Sequence, residues 1–172
     1  LDDRIADPLQ GSQQYALETW VIPANITQEG PARILNYSNG SATNFMLGQV
    51  MYYYNYRNRA AVEGSQSNGT PGLQTYDEDL RDTLQHVVVT YDMSRGRRIY
   101  VNGVFTDDVD ELGGGPLSNW DPNQFLILAN TRFNDRPWLG RMQLAAIYDR
   151  VLTDAEIRTN FLAGIGRRFL MT

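Results

Sequence analysis

Residues 51–59, MYYYNYRNR, concentrate the side chains best suited to holding a polar ligand. Side chains of an extended chain alternate between faces, so Tyr53, Asn55, Arg57 and Arg59 share one surface. Tyr52, Tyr54 and Tyr56 share the other. An aromatic ring, an amide and two guanidinium groups on one surface suit a sugar, because the ring stacks on C–H groups and the planar polar groups meet hydroxyls. If the three-tyrosine face is the core, that mixed face looks outward. Trp120, in SNWDPN, adds an indole expected on the rim of such a surface. Two acidic runs offer the oxygens that calcium takes: Asp77, Glu78, Asp79 and Asp82, then Asp107, Asp108, Asp110 and Glu111. The second precedes three glycines, so Asp107, Asp108 and Asp110 have a backbone able to fold round an ion. Neither run has EF-hand spacing.

Catalytic chemistry has little to work with. Cysteine is absent, which removes thiol nucleophiles, disulfides and thiolate metal sites together. Every one of the fifteen basic residues is arginine, so amine nucleophiles and Schiff bases are excluded. His86 is the single histidine and reads as a satisfied strand residue, its own strand bringing no acid nearer than Asp92. Glu18, Glu29, Glu63, Glu78, Glu111 and Glu156 are scattered, whereas glycoside hydrolysis needs two carboxylates flanking one bond. A net charge of −5 has the wrong sign for a nucleic-acid binder. No apolar run approaches the roughly 20 residues that span a bilayer. Four Asn-x-Ser/Thr sequons, at Asn25, Asn36, Asn39 and Asn68, matter only in a source that glycosylates.

The elements that must position these residues are short strands separated by turns. Residues 15–22 (YALETWVI) have mixed faces that suit a strand covered on both sides, and residues 32–37 (ARILNY) alternate. Residues 44–59 carry a strand pair. In residues 85–91 (QHVVVTY), Val87, Val89 and Tyr91 fall on one face and His86, Val88 and Thr90 on the other. Asn102-Gly103 between alternating runs marks a two-residue hairpin, since both turn positions need positive φ. Residues 124–130 and 138–148 read as two further buried strands. One helix is expected: Thr153 and Glu156 have capping-box spacing, and Ile157, Phe161 and Leu162 lie on one side before Ala163-Gly164. The pattern predicts an all-β, two-sheet antiparallel jelly-roll sandwich with one short C-terminal helix.

Three blocks carry a more specific likeness. They are LETWVIPA near the start, HVVVTYD with RIYVNG at residues 86–103, and WLGRMQLAAIYDRVLTDAEI at residues 138–157, closed by Ala163-Gly164. Together they resemble the laminin-G-like, concanavalin A-like jelly-roll domains of bacterial extracellular proteins. The likeness spans residues 15–164, leaving residues 165–172 as a tail and residues 1–14 as a segment in which the first strand is short and irregular, is the remnant of one lying upstream, or is replaced by a strand from a neighbouring subunit. The resemblance implies a secreted or cell-surface location and a non-catalytic recognition module for a glycan or glycoconjugate. It implies no required cofactor, with calcium optional, and neither nucleic acid nor membrane as partner. The alternative it leaves open is a structural or adhesive module of a larger assembly, whose partner is another protein subunit joined through either terminus, with the tail as a candidate donor segment. Related sandwich glycosidases carry ExDxxE on one strand; this chain has none, so no catalytic residue is expected.

Overall fold

The computed structural model describes residues 4–77 and 79–166. Their order is α1 (Ala6–Ser12), β1 (Gln14–Pro23), β2 (Ala32–Ser38), β3 (Thr43–Val50), β4 (Tyr53–Asn58), β5 (Leu73–Gln74), β6 (Gln85–Asp92), β7 (Gly96–Val101), β8 (Val104–Phe105), β9 (Phe125–Leu128), β10 (Gly140–Tyr148) and α2 (Asp154–Ala163). The strands form two five-stranded antiparallel sheets, β10-β1-β6-β7-β8 and β5-β4-β3-β2-β9. This is the expected jelly-roll-like sandwich.

The core lies between the sheets. Tyr15, Leu17, Val21, Val87, Val89, Tyr91 and Ile99 of the first sheet meet Ile34, Leu35, Tyr37, Phe45, Leu47, Tyr54 and Tyr56 of the second. Tyr54 and Tyr56 are fully buried, so the other face of β4 is turned away from the core. Buried phenols need partners: Tyr56 Oη donates to Tyr15 Oη at 2.6 Å, and Tyr15 Oη to Asn58 Oδ1 at 2.7 Å. Burial pushes both phenols well above their ordinary pKa. A bulge shapes β2, where Arg33 pairs with Gly48 and Leu35 with Leu47. Ile34 is the extra residue, so Ile34 and Leu35 both point inward while Arg33 and Asn36 point out.

A second, smaller core covers the outer face of the first sheet. Ala16, Val88 and Tyr100 pack there against Leu152 and Ile157 beneath α2. Strands β1 and β6 are therefore buried on both faces, which is why YALETWVI and QHVVVTY lack a polar side. The Asn102-Gly103 turn has φ of 52° and 79°, as its hairpin demands. A Cβ on Gly103 would sit 3.0 Å from the Phe161 ring system's Cβ, so glycine also lets α2 close down.

Three expectations are corrected. Ahead of β1 stands a helix, α1, whose Ala6 and Leu9 enter the main core while Gln10 Nε2 donates to the Leu117 carbonyl. Strands β9 and β10 are sheet edges with partly exposed faces, not buried strands. Leu162 points to solvent; Ile157 and Phe161 make the helix contacts. Of the tail at residues 165–172, residues 167–172 lie outside the described residues.

The capping box of α2 is complete, with Thr153 Oγ1 accepting from Glu156 N and Glu156 Oε2 accepting from Thr153 N at 2.8 Å. Arg150 donates to both Glu156 oxygens. These bonds, the Arg150 pair foremost, pull the Glu156 carboxyl down from 4.5 to about 2. A depressed carboxylate stabilises the fold in full above its unfolded value, and that contribution fades as pH falls towards 2. We expect the Glu156 carboxyl carbon to titrate near 2 by NMR in the native protein, and to move towards 4.5 in Arg150→Ala. A native midpoint near 4.5 would refute the cap geometry.

Candidate functional site

Register places one polar row across the outer face of the second sheet: Arg33 on β2, Gly48 on β3, Asn55 on β4 and Gln74 on β5. The neighbouring row is Ile127 on β9, Asn36 on β2, Met46 on β3 and Arg57 on β4. Tyr53 continues the outward face of β4, its ring 4.2 Å from that of Tyr52. Arg57 Nε donates to Asn55 Oδ1 at 3.3 Å, which turns the guanidinium back along β4 towards the Gly48 row. Gly72 lies against both, since a Cβ there would come 2.9 Å from the Asn55 amide and 3.2 Å from Arg57 Cγ. Three of the expected ligand residues, Tyr53, Asn55 and Arg57, thus stand on one outer face. Arg59 follows the end of β4, half-buried, its carbonyl engaged by the Trp120 indole.

Two residues that the sequence reading missed complete this face. Arg33 is half-buried, and its Nε and Nη1 have no hydrogen-bond partner. Its backbone N–H donates to the Arg136 carbonyl at 3.1 Å, bringing the loop of Arg136 alongside. Asn36 Nδ2 donates to Ser38 Oγ, while its buried Oδ1 is left without a donor. Burial, then the charges of Arg57 and Arg136, push the Arg33 guanidinium down to about 10. Burial and Arg136 lower Arg57 in the same direction. The local sequence ARILNY gives no sign of this. Arg33 and Arg57 are joined only by the β2-β3-β4 register.

Trp120 corrects the expectation of a rim indole. It is 4% exposed and packs on Tyr15, Tyr37 and Phe45, and its Nε1 donates to the Arg59 carbonyl at 2.6 Å. An aromatic pocket between the sheets outcompetes a loop surface for so large a ring.

Asp110 is also corrected. Its oxygens accept from Arg97 Nη2 at 2.6 Å and Arg97 Nε at 2.8 Å, with the pair 4% and 1% exposed. That carboxylate is committed to a guanidinium rather than presented to an ion. Asp107, at φ 61°, and Asp108 line a hollow of about 370 Å³ with Tyr76 and Gln74. Burial, then Asp108 and Asp77, raise the Asp79 carboxyl, so the two acidic runs approach each other in space. Among the described residues no three His, Asp or Glu side chains are grouped to hold a metal.

The fold pairs His86 with an acid after all. His86 Nε2 lies 2.6 Å from Glu18 Oε1, and Tyr148 Oη donates to Glu18 Oε2 at 2.7 Å. Both members of the pair are completely buried beneath α2, with Trp20 and Phe161 packed on the imidazole. No substrate reaches them, so the pair is structural. The pair crosses from β1 to β6, so no spacing of residues along a single strand announces it.

The family model for the concanavalin A-like lectin/glucanases superfamily, of the laminin-G type, matches residues 4–158. The chain belongs to this superfamily. Among solved structures it is similar to the CBM40 module of the Ruminococcus gnavus IT-sialidase bound to α2,3-sialyllactose. There the identity is 16% and the TM-score 0.64, covering 86% of this chain and 82% of that one. It is also similar to the heptameric SAP-like pentraxin of Limulus polyphemus, at 12% identity and TM-score 0.64, covering 90% and 72%. For the Trypanosoma rangeli sialidase the values are 21% and 0.58, covering 91% and 24%. Against several matched chains it spans only 24% to 41% of their length. Among curated proteins none matches. At these identities the structural likeness establishes the fold, the two-sheet sandwich of the superfamily; the lectin/glucanase site must be argued from this chain's own residues.

Proposed function

We propose that this superfamily member is a non-catalytic, extracellular carbohydrate-recognition module whose ligand lies on the outer face of the second sheet. The observation that carries the reading is the set of unmet polar groups there. Arg33 Nε and Nη1 and the Asn36 side-chain Oδ1 lack partners beside the half-buried Tyr53 and Arg57 and the buried Asn55 of the outer face. Buried polar groups are rarely left unmet, and sugar hydroxyls supply both donors and acceptors while a tyrosine ring takes the C–H face. The CBM40 relative, bound to sialyllactose on the same fold, supports the reading.

Glycan-array binding tests it. The wild-type chain is expected to bind a defined subset of saccharides, and Tyr53→Ala combined with Arg57→Ala to abolish those signals. Partly exposed positions cost little when truncated, so unfolding free energy should change by less than about 1 kcal/mol. Undiminished binding by the double variant would refute this site, and no glycan signal at all would refute the function. A second reading, a module whose partner is another protein chain, draws on Phe125 and Leu128, exposed on edge strand β9. Under that reading light scattering gives an assembly that Phe125→Ser disperses; the carbohydrate reading expects a monomer.

A further inference from the structure

The outer face of the second sheet carries more positive charge than a neutral sugar calls for. Arg33, Arg57 and Arg136 gather there on a chain whose net charge is −5. None of the three makes a salt bridge among the described residues. The nearest acid, Asp135, is exposed and accepts from the Thr131 hydroxyl within its own loop. Held together with only an exposed, loop-bound carboxylate as counter-charge, guanidinium groups repel, and half-buried ones also forgo water. A bound anion relieves both costs at once.

The surroundings suit a small planar or tetrahedral oxyanion. Gly48 leaves its position in the row without a side chain, between Arg33 and Asn55. A Cβ there would meet the Ala32 carbonyl oxygen at 2.6 Å, the Met46 sulfur at 2.9 Å and Pro31 Cβ at 3.2 Å, so the floor of the row is closely packed by two apolar groups and one carbonyl. Arg33 Nε and Nη1 are two donors of one guanidinium edge, both buried and both without an acceptor. Arg57 is drawn towards Asn55 on the opposite side of Gly48. A guanidinium fork matches two oxygens of one carboxylate or sulfate, and charge-assisted bonds of this kind are the strong ones.

We propose that the ligand of this face is an acidic saccharide whose oxyanion, a carboxylate or a sulfate ester, sits beside Gly48 between Arg33 and the Asn55–Arg57 pair. The inference rests on the carbohydrate reading and narrows it. The tyrosine ring and Asn55 hold the sugar ring; the arginines select for charge.

Calorimetric titration with four probes separates the possibilities: trigalacturonate, its trimethyl ester, 3′-sulfolactose and lactose. Sodium sulfate serves as a simple anion, followed through the arginine Nε–H NMR signals. An acidic probe is expected to bind at least about 10-fold more tightly than its neutral counterpart, with affinity falling as salt rises from 50 to 500 mM. Arg33→Met and Arg57→Met each weaken it about 10- to 100-fold. Arg33→Lys restores only part, and Arg158→Ala on α2 changes nothing. Which acidic probe prevails tells carboxylate from sulfate. Neutral probes binding as well as acidic ones, or Arg33→Met without effect while Arg57→Met folds and binds normally, overturns the inference and leaves the carbohydrate reading standing. Sulfate shifting the Arg33 signal while no saccharide binds overturns the carbohydrate reading and keeps the anion seat. Silence from every probe and from sulfate overturns both.

Discussion

Replacing Asp110 by alanine is expected to lower the unfolding free energy by about 3–5 kcal/mol, the usual cost of stranding one member of a buried ion pair. In a domain of this length that is a drop in Tm of roughly 10 °C or more. The reason is the guanidinium left behind. Arg97 is 4% exposed and divides its donors among both Asp110 oxygens and the Pro71 carbonyl, 2.7 Å away. It thereby ties β7 of the first sheet to the acidic loop and to the strand-edge loop of the second. With the carboxylate gone, the buried charge keeps the Pro71 carbonyl but has no counter-charge. Asp107→Asn, at a left-handed position that asparagine tolerates, should stay within about 0.5 kcal/mol of wild type. Converting the pair together, Arg97→Met with Asp110→Leu, should recover much of the loss. Urea unfolding at neutral pH, with and without added calcium, checks this. If Asp110→Ala proves no worse than Asp107→Asn, the pair is not structural. If calcium stabilises the wild type and that gain disappears in Asp110→Ala, the carboxylate serves an ion instead.

Breaking the Glu18–His86 pair should have an effect of similar size at the other end of the first sheet. Glu18→Ala leaves buried His86, and the Tyr148 hydroxyl that donates to Glu18, without the carboxylate that now meets both. About 3–5 kcal/mol is expected; His86→Ala should cost less, because Glu18 keeps the Tyr148 hydroxyl and the Asn160 amide. The two losses should not add. Side chains in direct contact couple by about 1–3 kcal/mol, so the double variant should be that much less damaged than the sum. Because the imidazole packs with Trp20 and with Phe161 of α2, the variants should also loosen α2, seen as faster amide exchange in the helix than in β6. Strict additivity, or unchanged exchange in α2, would show that the pair does not hold the helix to the sheet.

Neither pair lies within the site on the second sheet, and that separation matters for any binding experiment. Variants at Tyr53 and Arg57 probe recognition, whereas variants at Trp120, Asp110, Glu18 and His86 unfold the protein that does the recognising. A screen of aromatic and acidic residues by sequence alone would mix the two groups.

Much of the fold was legible in the order of residue types. Runs of strand-forming residues located β1, β2 and β6 to within a residue or so, and residues 44–59 held both β3 and β4 but for Thr43, because side-chain direction in a strand follows position along the chain. Asn102-Gly103 and the Thr153–Glu156 box were legible for the same reason: turns and caps are satisfied by neighbours two or three residues away. The outward placement of Tyr53, Asn55 and Arg57 followed once Tyr54 and Tyr56 were assigned to the core. The core itself became an all-β sandwich through that patterning, and the family blocks agreed with it.

The partnerships across strands and sheets come from tertiary packing. Glu18 meets His86 across 68 residues, Arg33 joins Arg57 through three strands, and the Trp120 indole finds Arg59 across 61. Helix α1 belongs here too, since ADPLQGS is a poor helix former held by the burial of Ala6 and Leu9. Each depends on register, on a bulge such as that at Ile34, or on which face another element covers. A one-residue slip would turn every such side chain to the opposite face, so residue types and spacing along a single strand contain no record of the partner.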